Sequence, residues 1–266
     1  MSDSFRRERS NHVEVWTIDQ PETRNAISDF SIIDAIDKAV SEVNADKDIR
    51  AVILTGAGKS FSSGGNLKHM QDKVGLFAGS PNDNRQGYRH QIQRVSRALY
   101  NCEVPTIAAV NGHAFGAGCD LALMCDMRIA STAATFAMNF VKIGLIPGSG
   151  GGWFLPKIVG PSRAAEMVFT GDPVDADTAL RWGLVSEVAE PADLLAAAMR
   201  LANRVASNPS HALRMVKKLL REGRRQDLDS LLELAAAMQA LAHTTDDHLE
   251  AIASITERRT PRFTNS

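Results

Sequence analysis

The chain has 266 residues, 44% of them apolar and 23% charged, with a formal net charge of −1. That is enough chain for one large domain, and the near-zero charge provides no field that would draw it to nucleic acid or to an anionic membrane. No apolar run approaches the ~18 residues of a membrane-spanning helix, and three cysteines without a Cys-x-x-Cys pair suit neither a disulfide framework nor a zinc site.

The opening MSDSFRRERSNH is charged and lacks an apolar core, so it does not read as a secretory signal. Asp3 and Glu8 argue against a transit peptide, and the expected compartment is the cytoplasm. Residues 12–19 (HVEVWTID) alternate apolar and polar and predict a strand. Residues 28–45 carry Phe30, Ile33, Ile36, Val40 and Val43 at helical spacing, with Ser28 or Asp29 as N-cap. AVILTG (51–56) is an apolar run closed by glycine, as expected of a strand buried on both faces. A loop, AGKSFSSGGN, opens a short helix at 67–73. Residues 74–87, rich in Gly, Ser, Pro, Asn and Asp, predict a mobile loop. A helix over 88–101 precedes a second buried strand at 106–112. Then come a helix from Ala117, strands near 126–130 and 135–137, and a second glycine-rich loop, GLIPGSGGGW. From residue 162 nearly everything reads as helix: 162–170, 175–181, 192–206, 209–224, 227–242 and 245–258. Alternating strand and helix followed by a helical tail predicts an α/β core with a helical C-terminal region. The expected division is a core over 1–200 and a segment over 201–266 that serves packing and self-association.

Three loops are candidates for chemistry. TGAGKS (55–60) ends like a phosphate-binding loop, but the first glycine of that pattern falls on Ile53, inside the strand. The glycines after the second buried strand, Gly112, Gly116 and Gly118, do not make a G-x-G-x-x-G fingerprint. What remains is a pair: SSGGN (62–66) and GAG (116–118), each between a buried strand and a helix. Amides at a helix start have no intrahelical acceptor. Two such turns facing one point would form an oxyanion hole; the same spacing also suits ordinary strand-to-helix turns.

FSSGGNLKHM and AAVNGHAFGAGCDLALMCDMRIA resemble the two signature segments of the crotonase, or enoyl-CoA hydratase/isomerase, superfamily. DQPETRNAIS, IGLIPGSGGGWFLPKIVG, ALRWGLVSEV and ITERRTPRF are similar to further landmarks, so the resemblance runs from about residue 12 to the C-terminus. It implies a spiral of ββα units with an all-helical C-terminal region, assembled as a homotrimer or hexamer. It also implies an acyl-CoA thioester substrate, with no cofactor beyond the coenzyme A that the substrate carries and no metal. By position, the oxyanion donors are the amides of Gly65 and Ala117. Coenzyme A falls to Arg24, Ala26, Ser62, Ser63, Gly64 and Lys68, although Lys68 also suits a solvated helix face. Phe140 and Met138 fall at the acyl pocket.

The sequence departs from the resemblance at the acids. The first of the two glutamates of a typical hydratase falls on Asp120, one methylene shorter. The second falls on Phe140, which cannot exchange a proton; FA (136–137) and LIPG (145–148) fix that placement. Ser149 stands where some relatives carry an acid, and Asn66 replaces a usual aspartate. Asp120 is the catalytic candidate, with a plain helix-start aspartate as the alternative. His69, His90 and Tyr88 lie near the 74–87 segment and could supply a second role, whereas His113 reads as structural. The implied activity is enoyl-CoA hydration. Double-bond isomerisation by Asp120 alone and acyl-CoA binding with little catalysis are the alternatives, and hydrolase or dehalogenase chemistry is a lesser one.

Overall fold

The computed structural model describes residues 4–265. In chain order its elements begin β1 (Phe5–Ser10), β2 (Val13–Ile18), α1 (Phe30–Ala45), β3 (Ala51–Gly56), β4 (Ser60–Ser62), α2 (Leu67–Gln71), α3 (Pro81–Gly87) and α4 (Gln93–Asn101). They continue β5 (Thr106–Val110), β6 (His113–Phe115), α5 (Ala117–Met124), β7 (Met127–Ser131), β8 (Thr135–Ala137), α6 (Gly151–Val159), α7 (Pro161–Thr170) and β9 (Val174–Asp175). The chain closes with α8 (Ala176–Arg181), β10 (Glu187–Ala189), α9 (Leu194–Ala206), α10 (Ser210–Glu222), α11 (Leu228–Ala242) and α12 (Asp246–Glu257).

The strands form a six-stranded sheet, β1-β2-β3-β5-β7-β10, and a four-stranded sheet, β4-β6-β8-β9. The pairs β3/β4, β5/β6 and β7/β8 each put one strand in each sheet before the chain turns to a helix or helical turn. That repetition is the spiral of ββα units. β1 pairs antiparallel with β2 and β9 antiparallel with β8, and the other pairings are parallel. β3 and β5 read as unbroken apolar runs because both their faces are covered. Ala51 and Ile53 pack against Ala197, Ala198 and Ala202 of α9, while Val52 and Leu54 face the main core with Ile33, Ile36 and Leu99. The alternation follows the pleat of the strand.

The helical tail is fastened to this core by buried cations. Arg214 of α10 donates to the carbonyls of Val43, Asn44 and Asp46. Lys217, only 5% exposed, reaches the Val104 carbonyl at 2.7 Å and Asp126 at 2.6 Å. Arg221 donates to the Cys102 carbonyl. Arg50, 4% exposed, donates to the carbonyls of Ala206 and Phe263, both at 3.1 Å. By contrast, α11 and α12 leave Leu228, Leu232, Leu241, Leu249, Ile252 and Ile255 exposed. Among the described residues, no helix is long and apolar enough to cross a membrane.

Two sequence expectations need correction. The 74–87 segment is largely ordered as helix: a 3-10 turn at Gly75–Phe77, then α3. Its polar residues are helix-start chemistry. The Ser80 side chain accepts from the Asp83 amide, the Asp83 carboxylate accepts from the Ser80 amide, and Pro81 fills the first helical turn. Residues 88–101 are not one regular helix either, because Tyr88–Ile92 is π-helical before α4 begins. The short strands β4, β6, β9 and β10 lack a period long enough to read, and β1 hides in a charged stretch. A tight turn at Asn11, φ 52°, folds β1 back onto β2. Asp29, not Ser28, caps α1; the Ser28 hydroxyl accepts from the Asn66 amide instead.

Candidate active site

The SSGGN and GAG turns lie back to back. Gly64 has φ +78°, and a Cβ there would stand 2.7 Å from the Phe115 carbonyl and 2.8 Å from the Ala117 nitrogen. A Cβ on Gly118 would run into the backbone carbonyl of Ser62. These two glycines therefore set the close approach of the first turn to the start of α5. Gly116 takes the positive φ of the second turn, +54°, and Ala117 is not among the positive-φ residues. The alanine methyl is thus tolerated at the first position of α5.

A buried polar frame supports the first turn. Asn25, fully buried with φ 58°, donates from Nδ2 to the carbonyls of Ala57 (2.9 Å) and Ser60 (2.7 Å), and its Oδ1 accepts from the Gln20 amide at 2.9 Å. The Ser62 hydroxyl donates to the Asn25 carbonyl at 2.7 Å and accepts from the Gly64 amide at 3.1 Å. Ile27 donates to the Gly64 carbonyl at 2.8 Å. Asn25→Ala removes three bonds, leaves the part-buried Gln20 amide and Ala57 carbonyl without this partner, and puts alanine at positive φ. The expected loss is about 2–4 kcal/mol in chemical denaturation; an unchanged midpoint would contradict this account of the turn.

Gly65 and Ala117 both line a cavity of about 530 Å³. Among the described residues, neither amide has a backbone acceptor. Apolar walls come from Met70, Leu76, Phe77, Ile92, Phe140 and Leu145. Arg24 and Lys68, both exposed, stand at the rim together with Ser63 and Glu22. Ala26, Ser62 and Gly64 lie behind that wall, where Ala26 and Gly64 form a β-bridge. Phe140 lines the cavity with its ring beside Gly116. Met138 is fully buried, its methyl packed with the Asp120 carboxylate in the space a side chain on Gly151 would need.

Asp120 sits one turn into α5 with no exposed surface. Among the described residues, neither carboxylate oxygen has a hydrogen-bond partner. Burial pushes its pKa up to about 7; the Ser149 hydroxyl and the amides of Ser149 and Gly151 pull the other way without offsetting burial. The neighbouring Cys119 thiol is pushed up by burial and stays protonated. His69 and His90 are not part of the cavity wall, whereas Tyr88 is. Burial pushes the Tyr88 phenol up as well. His113 bonds the Thr135 hydroxyl across β6 and β8 at 2.7 Å, a contact within the small sheet. Ser149 also lines the cavity. The sequence marked it as standing where some relatives carry an acid, within a run of glycines.

An apolar-walled cavity with two unpaired amides at one place can hold an oxyanion, and a carboxyl poised near neutrality close by can exchange a proton. The sequence profile of the enoyl-CoA hydratase/isomerase family matches residues 8–266. The chain is 35% identical over 257 residues to a crotonyl-CoA hydratase of Syntrophomonas wolfei, covering 96% of each chain. It is 33% identical to a 1,2-epoxyphenylacetyl-CoA isomerase of Escherichia coli (strain K12), covering 96% of this chain and 97% of that one. The solved structure of an enoyl-CoA hydratase from Bacillus anthracis superposes with a TM-score of 0.92 at 28% identity, over 99% of this chain and 100% of that one.

Proposed function

Because this chain belongs to the enoyl-CoA hydratase/isomerase family, we propose that it is an enoyl-CoA hydratase-like enzyme in which Gly65 and Ala117 hold the thioester oxygen. The observation that carries the reading is the pair of acceptor-free amides on one apolar-walled cavity. When water adds to Cβ, or a proton leaves Cα, negative charge moves onto the thioester oxygen. Donors fixed at that oxygen bind the enolate better than the ground state. Removing one such donor costs about 3–4 kcal/mol in comparable sites.

Arg24 and Lys68 at the rim suit the phosphates of coenzyme A, with Ser63 beside them as a polar contact, while Ala26, Ser62 and Gly64 shape the wall from behind. Phe140 gives the acyl end an apolar wall. With no second acid at that position, a single carboxyl must take the proton of the attacking water and return one to Cα. The exposed leucines and isoleucines of α11 and α12 suit self-association as a trimer or hexamer, and the cytoplasm is the proposed compartment.

Double-bond isomerisation is the second reading. Phe140 in place of the second acid favours it, because moving a proton between Cα and Cγ needs only one acid/base group. Purified protein is expected to bleach the conjugated-thioester absorbance of crotonyl-CoA or of longer 2-enoyl-CoAs. Formation of that absorbance from a 3-enoyl-CoA, with no hydration, would assign the isomerase instead. Tight acyl-CoA binding in calorimetry without turnover of either series would leave only the binding role.

A further inference from the structure

We infer that the Asn139 carboxamide binds the oxygen that substrate gains at Cβ: the attacking water in hydration, and the hydroxyl of the 3-hydroxyacyl-CoA that results. This rests on the thioester reading above and adds to it a group for the Cβ end. Asn139 lines the same cavity as Gly65 and Ala117. Outside its chain neighbours, the atom nearest a Cβ built on Gly116 is Asn139 Oδ1, at 3.3 Å, and the Phe140 ring follows at 3.7 Å. Gly116 immediately precedes the Ala117 donor. A thioester whose oxygen sits at that donor has its Cβ two bonds from the carbonyl carbon, so the groups beside the turn are the ones set to meet it. Phe140 is apolar, and the carboxamide beside it is the group there that can hold an oxygen.

The fold fixes Asn139 there without using its side chain. β8 pairs with β6 so that Ala137 lies opposite Phe115, and the Gly116 amide donates to the Ala137 carbonyl at 2.8 Å. Two residues on, Asn139 opens a 3-10 turn, Asn139–Ile143, and the Leu145 amide donates back to the Phe140 carbonyl at 2.9 Å. Gly171 backs the turn: a Cβ there would stand 3.2 Å from Asn139 Cα. Lys142 ties the turn to Asp172 at 2.7 Å. Among the described residues, the Asn139 carboxamide has no hydrogen-bond partner, and the residue is half-buried at the cavity wall. Other polar side chains of the wall are already occupied. Asn66 accepts from the amides of Lys68 and His69, Ser63 donates to the Thr23 carbonyl, and Ser28 accepts from the Asn66 amide. Tyr88 packs its ring on Gly148, in the loop before α6.

A carboxamide both donates and accepts, and it carries no proton that titrates, so Asn139 holds the oxygen without exchanging a proton with it. In hydration the Cβ–O bond forms and one water proton leaves to the acid–base carboxyl. The electron pair of the double bond moves onto the thioester oxygen and then takes a proton at Cα, and Asn139 ends as it began. The oxygen is bonded to Cβ in the transition state and in the hydroxyacyl product. An enoyl-CoA or a saturated acyl-CoA has none there, so the contact adds nothing to the binding of those ligands. Its stabilisation falls on the transition state, where it raises kcat and leaves KM unchanged.

The test compares two ligands that differ only in that oxygen, butyryl-CoA and 3-hydroxybutyryl-CoA, by calorimetry. The wild type is expected to bind the hydroxy ligand more tightly. Asn139→Leu, close in volume, and Asn139→Ala should each cut that preference at least about fivefold, while the affinity for butyryl-CoA stays within about twofold and reports an intact fold. In hydration of crotonyl-CoA the same variants should lower kcat at least about tenfold with KM within about threefold. Equal wild-type affinities for the two ligands, or a preference unchanged in both variants, would overturn the role of Asn139, while butyryl-CoA binding would uphold the thioester reading. No binding of either ligand would overturn both. A preference lost in the variants, without hydration of any enoyl-CoA by the wild type, would keep the Asn139 contact and remove the hydratase reading.

Discussion

Asp120→Asn is expected to make the protein more stable above pH 7 and to lower turnover by about 10²–10⁴-fold. Both effects come from one buried acid. In the folded chain the Asp120 carboxyl titrates near 7, against an ordinary value of 3.8. Below pH 3.8 it is neutral both folded and unfolded, and burial suits it. Between 3.8 and 7 the unfolded chain gives up the proton that the folded chain retains. The stability tied to this group is therefore fully present below 3.8 and lost as pH rises through 7. A shift of about three units corresponds to about 4 kcal/mol as an upper figure, which local relaxation reduces. Asparagine has nearly the same shape and never ionises. The variant should thus gain about 2–4 kcal/mol relative to wild type between pH 5 and pH 8 in denaturation. The opposite trend would mean that Asp120 is ionised and well solvated in the fold. In activity, wild-type kcat/KM for proton removal should rise to a plateau through pH 7, and the variant should be flat and low.

The second large effect is steric. Gly118→Ala directs a methyl at the Ser62 backbone, whose carbonyl carbon an ideal Cβ would approach to 2.7 Å. Backbone cannot swing aside as a flexible side chain can, so the SSGGN turn and the start of α5 must separate. Overpacking of this sort costs about 1–3 kcal/mol and occasionally more. It also moves Gly65 relative to Ala117, so turnover should fall by at least about tenfold together with stability. Gly152→Ala is the control. It lies in α6 with no atom within 4 Å of the new Cβ, and helix propensity predicts a gain of about 0.5–1 kcal/mol. A Gly118→Ala protein as stable and as active as the Gly152→Ala protein would show that the two turns are not locked together.

The sequence carried the buried strands well, because β3 and β5 are covered on both faces and read as unbroken apolar runs. It carried the two donor turns as well, since the glycine at each marks a real close approach. The short strands of the small sheet could not be read, because two or three residues have no period. The 74–87 segment was misread from composition, although Ser80, Pro81 and Asp83 held the helix-start pattern in plain view. Asp120 was legible as a residue type at a helix start. Its separation from the cavity was not, because depth beneath a wall depends on the packing of Met138, Ser149 and Gly151 from distant parts of the chain. Ser149 reached the cavity wall only once those segments were brought together.

Arg50 joins the carbonyls of Ala206 and Phe263 at one guanidinium. Those carbonyls bracket α10, α11 and α12, so one side chain acts as a clasp closing a loop of chain. Asp247 reinforces the clasp by accepting from the amides of Thr264 and Asn265. Chain closed in this way has less entropy to gain by peeling from either end. The outermost helices therefore come away from the core as one cooperative unit, after the clasp has opened, and do not fray turn by turn from the C-terminus.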